Sequence, residues 1–303
     1  MWTLLFWPAT VAAQPASLSI DPAATSIPYD AFSGAPLQAA ETLQLSDAVI
    51  SHIASNKATK EHARYFAFDD STIENAARRL APCKTFPGDP TWQIKQVWDV
   101  FDALLGGALI PTVPIASSCY DTKWGKKDTI ECASVVSNFT NPLFHENDPT
   151  SIMWPIFQGR TCMPSNNTGG KQCDKGAYPE YAVKVKNVAQ IQLAVNFARV
   201  ANMRLVIKNT GHCYLGKSSG AGALSLWMHN MKDIDFLPAY QGPGFSGPAL
   251  KLAAGVTVRE VYEAADKNDV TVTGAVSWVR DIHSYYSKDV LTKACRVSAM
   301  PAV

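Results

Sequence analysis

The run Arg204-Leu-Val-Ile-Lys-Asn-Thr-Gly-His-Cys-Tyr-Leu-Gly-Lys-Ser-Ser-Gly-Ala-Gly222 constrains this chain most, because a short apolar strand there empties into a glycine-rich turn holding one histidine. Gly211, Gly216, Gly220 and Gly222 are free to adopt φ > 0, so successive N–H groups can aim into one concavity and a diphosphate can approach without meeting a Cβ. Asn209, Thr210, Ser218 and Ser219 add short polar donors. Such a loop suits a phosphorylated cofactor, although tight turns also use glycine for purely local reasons.

The flanking sequence supplies elements that would hold the loop. Tyr181 to Val185 alternates as a strand, and Asn187 can cap a helix over Val188 to Asn202, in which Ile191, Val195 and Ala198 recur at helical spacing. With Arg204 to Ile207 as the next strand, the order is β-α-β, and residues 209–218 leave a strand's C-terminal end, where cofactors commonly bind in α/β sheets. Leu224 to Met228 reads as a buried strand, Met231 to Phe236 as the way into a hairpin, and Leu250 to Val258 as a strand and turn. A helix over Val258 to Asp266 and a strand over Val270 to Gly274 follow. Towards the N-terminus, Ser46 to Ser55 and Ser71 to Leu80 are amphipathic, whereas Leu109 to Ile115 and Ser118 to Tyr120 read as an extended, proline-punctuated path.

At 303 residues and 47% hydrophobic, the chain can bury a substantial core. The 27 basic and 26 acidic residues nearly balance and form no basic stripe, so no nucleic-acid partner is expected. Residues 1–13 are apolar and end in Val11-Ala12-Ala13, which reads as a secretory signal despite lacking a basic residue near Met1. No later segment is long and apolar enough for a membrane helix, so no membrane partner is expected either. The sequons Asn138-Phe-Thr140 and Asn166-Asn-Thr168 and the seven cysteines fit a secreted destination. Cys119 with Cys132 and Cys162 with Cys173 could close short local loops, and Cys83 could pair with any of them; sequence alone does not set the connectivity, and an odd count leaves one thiol over. Neither Cys-x-x-Cys nor His-x-x-x-His spacing occurs, so no metal site is expected.

Lys208-Asn-Thr-Gly-His-Cys-Tyr-Leu-Gly-Lys-Ser218 resembles the flavin-binding loop of FAD-linked oxidoreductases of the vanillyl-alcohol-oxidase and berberine-bridge-enzyme type, in particular their secreted fungal members. The resemblance implies an α+β fold, the first part of a PCMH-type FAD-binding domain, preceded by a helical and irregular N-terminal extension. The corresponding divisions are a signal peptide at 1–13, the extension at 14–175, the incomplete FAD-binding domain at 176–275 and a non-family tail at 276–303. It also implies that His212 is joined covalently to FAD and that Asn209, Thr210, Gly211, Gly216 and Ser218 hold the phosphates. Cys213 stands where many relatives carry an acidic residue, and no catalytic role is assigned to it. Trp92 and Trp98, in a lead-in that the relatives share, are read as packing residues, and His229 as structural.

The likeness covers roughly Cys83 to Ala275 and then stops. Relatives continue with a Gly-x-Cys-x-Thr-Val-Gly motif, a substrate domain and a catalytic-base region, whereas Val276-Ser-Trp-Val-Arg follows here. The expected function is an FAD-dependent oxidation of an alcohol, amine or ring carbon of a small secondary metabolite, with molecular oxygen as second substrate and no nameable catalytic base. The alternative is an inactive truncated flavin-binding fragment, with the tail arising from a retained intron or mispredicted gene model. A secreted disulfide-rich adhesive or carbohydrate-binding protein is a third reading, but it leaves the loop unexplained.

Overall fold

The computed structural model describes residues 35–68, 83–165, 172–242, 245–272 and 296–301. The expected leader, residues 71–80, the Asn166 sequon and Cys295 lie outside these residues.

Among the described residues, two four-stranded sheets organise the fold. In the first, β1 (Leu109–Pro111), β2 (Tyr181–Lys184), β3 (Leu205–Lys208) and β4 (Leu224–Trp227) stand in the order β1-β2-β4-β3. The strands β2, β4 and β3 are parallel, and β1 is antiparallel to β2. All four residues of β4 are buried, as expected for a central parallel strand covered on both faces.

The crossover from β2 to β3 is a helix over Val188–Val200, packed on the sheet by Leu193, Ala194 and Phe197. The side chain of Asn187 accepts a hydrogen bond from the Gln190 amide and so satisfies one orphan donor of the first turn. In the second sheet, β5 (Ile234–Gly242) and β6 (Phe245–Leu252) form an antiparallel hairpin, and β8 (Arg296–Pro301) lies between β6 and β7 (Val270–Val272). A helix over Val258–Lys267 leads into β7, its N-terminus closed by a capping box between Thr257 and Glu260.

The helices over Asp47–Ser55 and Lys95–Leu104 contribute to the same core as the first sheet. Phe101 stacks on Phe197 at 4.2 Å, and Trp98 packs on Tyr181 at 4.1 Å and on Phe197 at 5.0 Å. Trp92 joins them 5.6 Å from Trp98, so both tryptophans are packing residues.

A smaller core gathers Ala116, Tyr120 and Val135 around the disulfides Cys119–Cys132 and Cys162–Cys173. Cys83 and Cys213 are free thiols. Ser117–Cys119 is a 3-10 turn and not part of the expected extended path, which lets Cys119 meet Cys132 on the helix Thr129–Asn138.

Candidate functional site

The loop after β3 stands at the C-terminal end of the parallel sheet, and three residues of it are set by backbone geometry. Gly211, Gly216 and Gly222 have φ of +87°, +69° and +65°, a region that side chains rarely enter. Gly220 does not share this conformation. A Cβ there would come within 2.9 Å of Arg204 and 3.2 Å of Val206, so its smallness serves close packing of the loop on β3.

Beyond the backbone, Gly216 faces the ring of Phe157 and Gly222 faces Phe86 and Pro87. Gly211 lies against the segment 151–153, with a Cβ position 3.0 Å from the Ser151 carbonyl, and its own carbonyl accepts from the Met153 amide at 3.2 Å. Residues 148–158 therefore form a buttress under the loop. Asp148 accepts from the amides of Thr150 and Ser151, while Gln158 donates to the Thr150 carbonyl and to Ser219.

These bonds sort the polar side chains expected to bind phosphate. Asn209 spends its amide on the Ala254 carbonyl, and Ser219 spends its hydroxyl on the Ala177 carbonyl, so both position the loop. Thr210 is fully buried, and its Oγ1 has no partner among the described residues. Ser218 is buried, and His212 is half-buried with its ring edge-on to Tyr214 at 6.3 Å. Among the described residues, the amides of Gly211, Cys213, Tyr214 and Leu215 have no protein acceptor.

Lys208, at the end of β3, is fully buried and ties the loop to the buttress. Its ammonium donates to the carbonyls of Asp148 at 2.7 Å, His145 at 3.1 Å and Asn209 at 3.4 Å. Burial pulls its pKa down to about 8, against the opposing pull of Asp148 and Glu146.

His145 is fixed on both ring nitrogens. Nε2–H donates to the Phe139 carbonyl and Nδ1 accepts from Ser151, each at 2.7 Å, and burial lowers its pKa. Burial also pushes the Glu146 carboxyl up. His229 just past β4 is held down at about pH 4 by burial, with the Lys232 and Lys208 cations adding to the effect. The sequence reading missed Lys208 and Glu146, and the available signal was a lysine closing an otherwise apolar strand.

Among the described residues, backbone amides without a protein acceptor and the unpaired Thr210 hydroxyl lie about a positive-φ glycine turn, beside the unpaired Asn209 Oδ1. This fits the anionic diphosphate of a dinucleotide cofactor. Among the described residues no group of three or more His, Cys, Asp or Glu is placed to hold a metal ion.

An α+β unit with such a loop at the end of a parallel strand belongs to the class of nucleotide-cofactor-binding folds. Residues 179–278 match the FAD binding domain family. The VAO-type flavoprotein oxidase VAO615 of Thermothelomyces thermophilus is 41% identical over 193 residues, covering 63% of this chain and 33% of that protein. The FAD-linked oxidoreductase ZEB1 of Gibberella zeae is 39% identical over 203 residues, covering 67% of this chain and 34% of that protein. The crystal structure of the VAO-type flavoprotein MtVAO615 from Myceliophthora thermophila C1 superposes with a TM-score of 0.62 at 39% identity, over 66% of this chain and 36% of that one. Over the matched residues, the chain is similar to VAO-type fungal FAD-linked oxidoreductases. It spans about a third of the length of the curated relatives it matches.

Proposed function

We propose that this chain is the FAD-holding part of a secreted oxidoreductase, with the flavin attached through His212 and the diphosphate cradled by residues 209–218. The observation that carries the reading is the buried Thr210 hydroxyl, without a partner among the described residues, beside the positive-φ Gly211 and two residues before the half-buried His212. Bound there, FAD would supply two-electron oxidation of an alcohol, amine or ring carbon in a small-molecule metabolite, with molecular oxygen as final electron acceptor. The chain's own contribution is orientation. Lys208 and the 148–158 buttress hold the loop, and Tyr214, edge-on to Trp154 at 5.5 Å, stands beside His212.

Two disulfides support an oxidising compartment, and the half-buried Asn138 at the end of its helix would be the glycan acceptor of that pathway. The test is flavin fluorescence after acid precipitation of protein made by a secreting fungal host. Fluorescence is expected to stay with the wild-type pellet and to be lost from His212→Ala. A flavin-free wild-type pellet would remove the covalent link from the proposal.

A further inference from the structure

Building on the flavin reading, we propose that the exit of β4 forms a second wall of the cofactor site, where the Trp227 indole N–H and the Asn230 amide donate to the FAD diphosphate. The register carries the first step. Lys208 and Trp227 stand opposite one another at the ends of β3 and β4, so the chain leaving β4 runs beside the chain leaving β3.

A shared turn holds the two exits together. The Asn209 amide donates to the Ala254 carbonyl. The next residue, Gly255, donates to the Met231 carbonyl at 2.8 Å, and a Cβ on it would lie 2.6 Å from the His229 carbonyl.

At this junction three buried donors have no partner among the described residues: Thr210 Oγ1, Trp227 Nε1 and Asn230 Nδ2. Thr210 is 0% and Trp227 6% exposed. Buried donors are nearly always paired, so three orphans on neighbouring strand ends point to an acceptor that arrives with a ligand. The local charge selects an anionic acceptor. The ammonium groups of Lys184 and Lys208 each lie 5.8 Å from the Trp227 ring centroid.

The full chain carrying His212→Ala, which cannot form the covalent link, would be produced in a riboflavin-starved host and titrated with FAD and with riboflavin by flavin fluorescence, beside the same chain with Trp227→Phe or Asn230→Ala added. Each substitution is expected to weaken FAD about tenfold, the size of one lost hydrogen bond to a charged group, and to leave riboflavin unchanged. Unchanged FAD affinity in both variants would overturn this inference while leaving the flavin reading standing. Equal losses for FAD and riboflavin would overturn the assignment to the diphosphate. A parent chain that binds no FAD would overturn both readings. Melting curves report folding, and if Trp227→Phe does not fold, Asn230→Ala decides.

Discussion

At Gly216 the positive φ and the Phe157 ring filling the Cβ direction make separate demands on one position. Gly216→Ala is expected to cost about 1–3 kcal/mol, read as a shift in denaturation midpoint. Adding Phe157→Ala should recover only the steric part, because the backbone strain remains; full recovery would show that φ costs nothing here. The four glycines were legible in the sequence as a turn. That Gly216 and Gly222 also make room for rings was not, since Phe157 and Phe86 reach them from more than fifty residues away in the chain.

Among the elements, those with local signals matched their sequence reading closely. Asn187 and the apolar period of its helix predict Val188–Val200 within two residues, because capping and periodicity are local. The 3-10 turn at Ser117–Cys119 was not legible, because a bond to Cys132 decides it. In the disulfide-linked segment, Tyr120 and Val135, with Trp124, Val136, Phe139 and Phe144 against them, pack around the two bridges. Replacing Cys119 and Cys132 together by serine is expected to cost about 3 kcal/mol, checked by chemical denaturation with intact protein as reference. A loss below about 1 kcal/mol would mean that the small core holds without the bridge.

For the whole molecule, acid sensitivity follows from its buried imidazoles. In the unfolded chain His229 protonates near pH 6.5, but in the fold only near 4, because burial and the Lys232 and Lys208 cations oppose its charge. Between those values the unfolded chain binds more protons, so stability falls as pH falls from 6.5 towards 4. His145, lowered by burial, acts in the same direction, and Glu260, held low by Thr257 and Lys232, adds to the loss at the acid end; Glu146, raised by burial, opposes it. Melting temperature is expected to drop across this window in the wild type and to drop less in His229→Gln; identical slopes would refute the assignment.

The amino-acid sequence by itself determined the β-α-β order, the helix caps, the glycine turn and the position of His212, since each depends on residues close together in the chain. Only the tertiary structure decided that residues 45–66 and 97–105 share the core of the FAD-binding part, and that Lys208 fastens the loop to Asp148. It alone set Trp227 opposite Lys208 and left the buried donors of Thr210, Trp227 and Asn230 without a partner among the described residues. Those outcomes turn on burial and on unpaired donors, which exist only once distant segments have packed together.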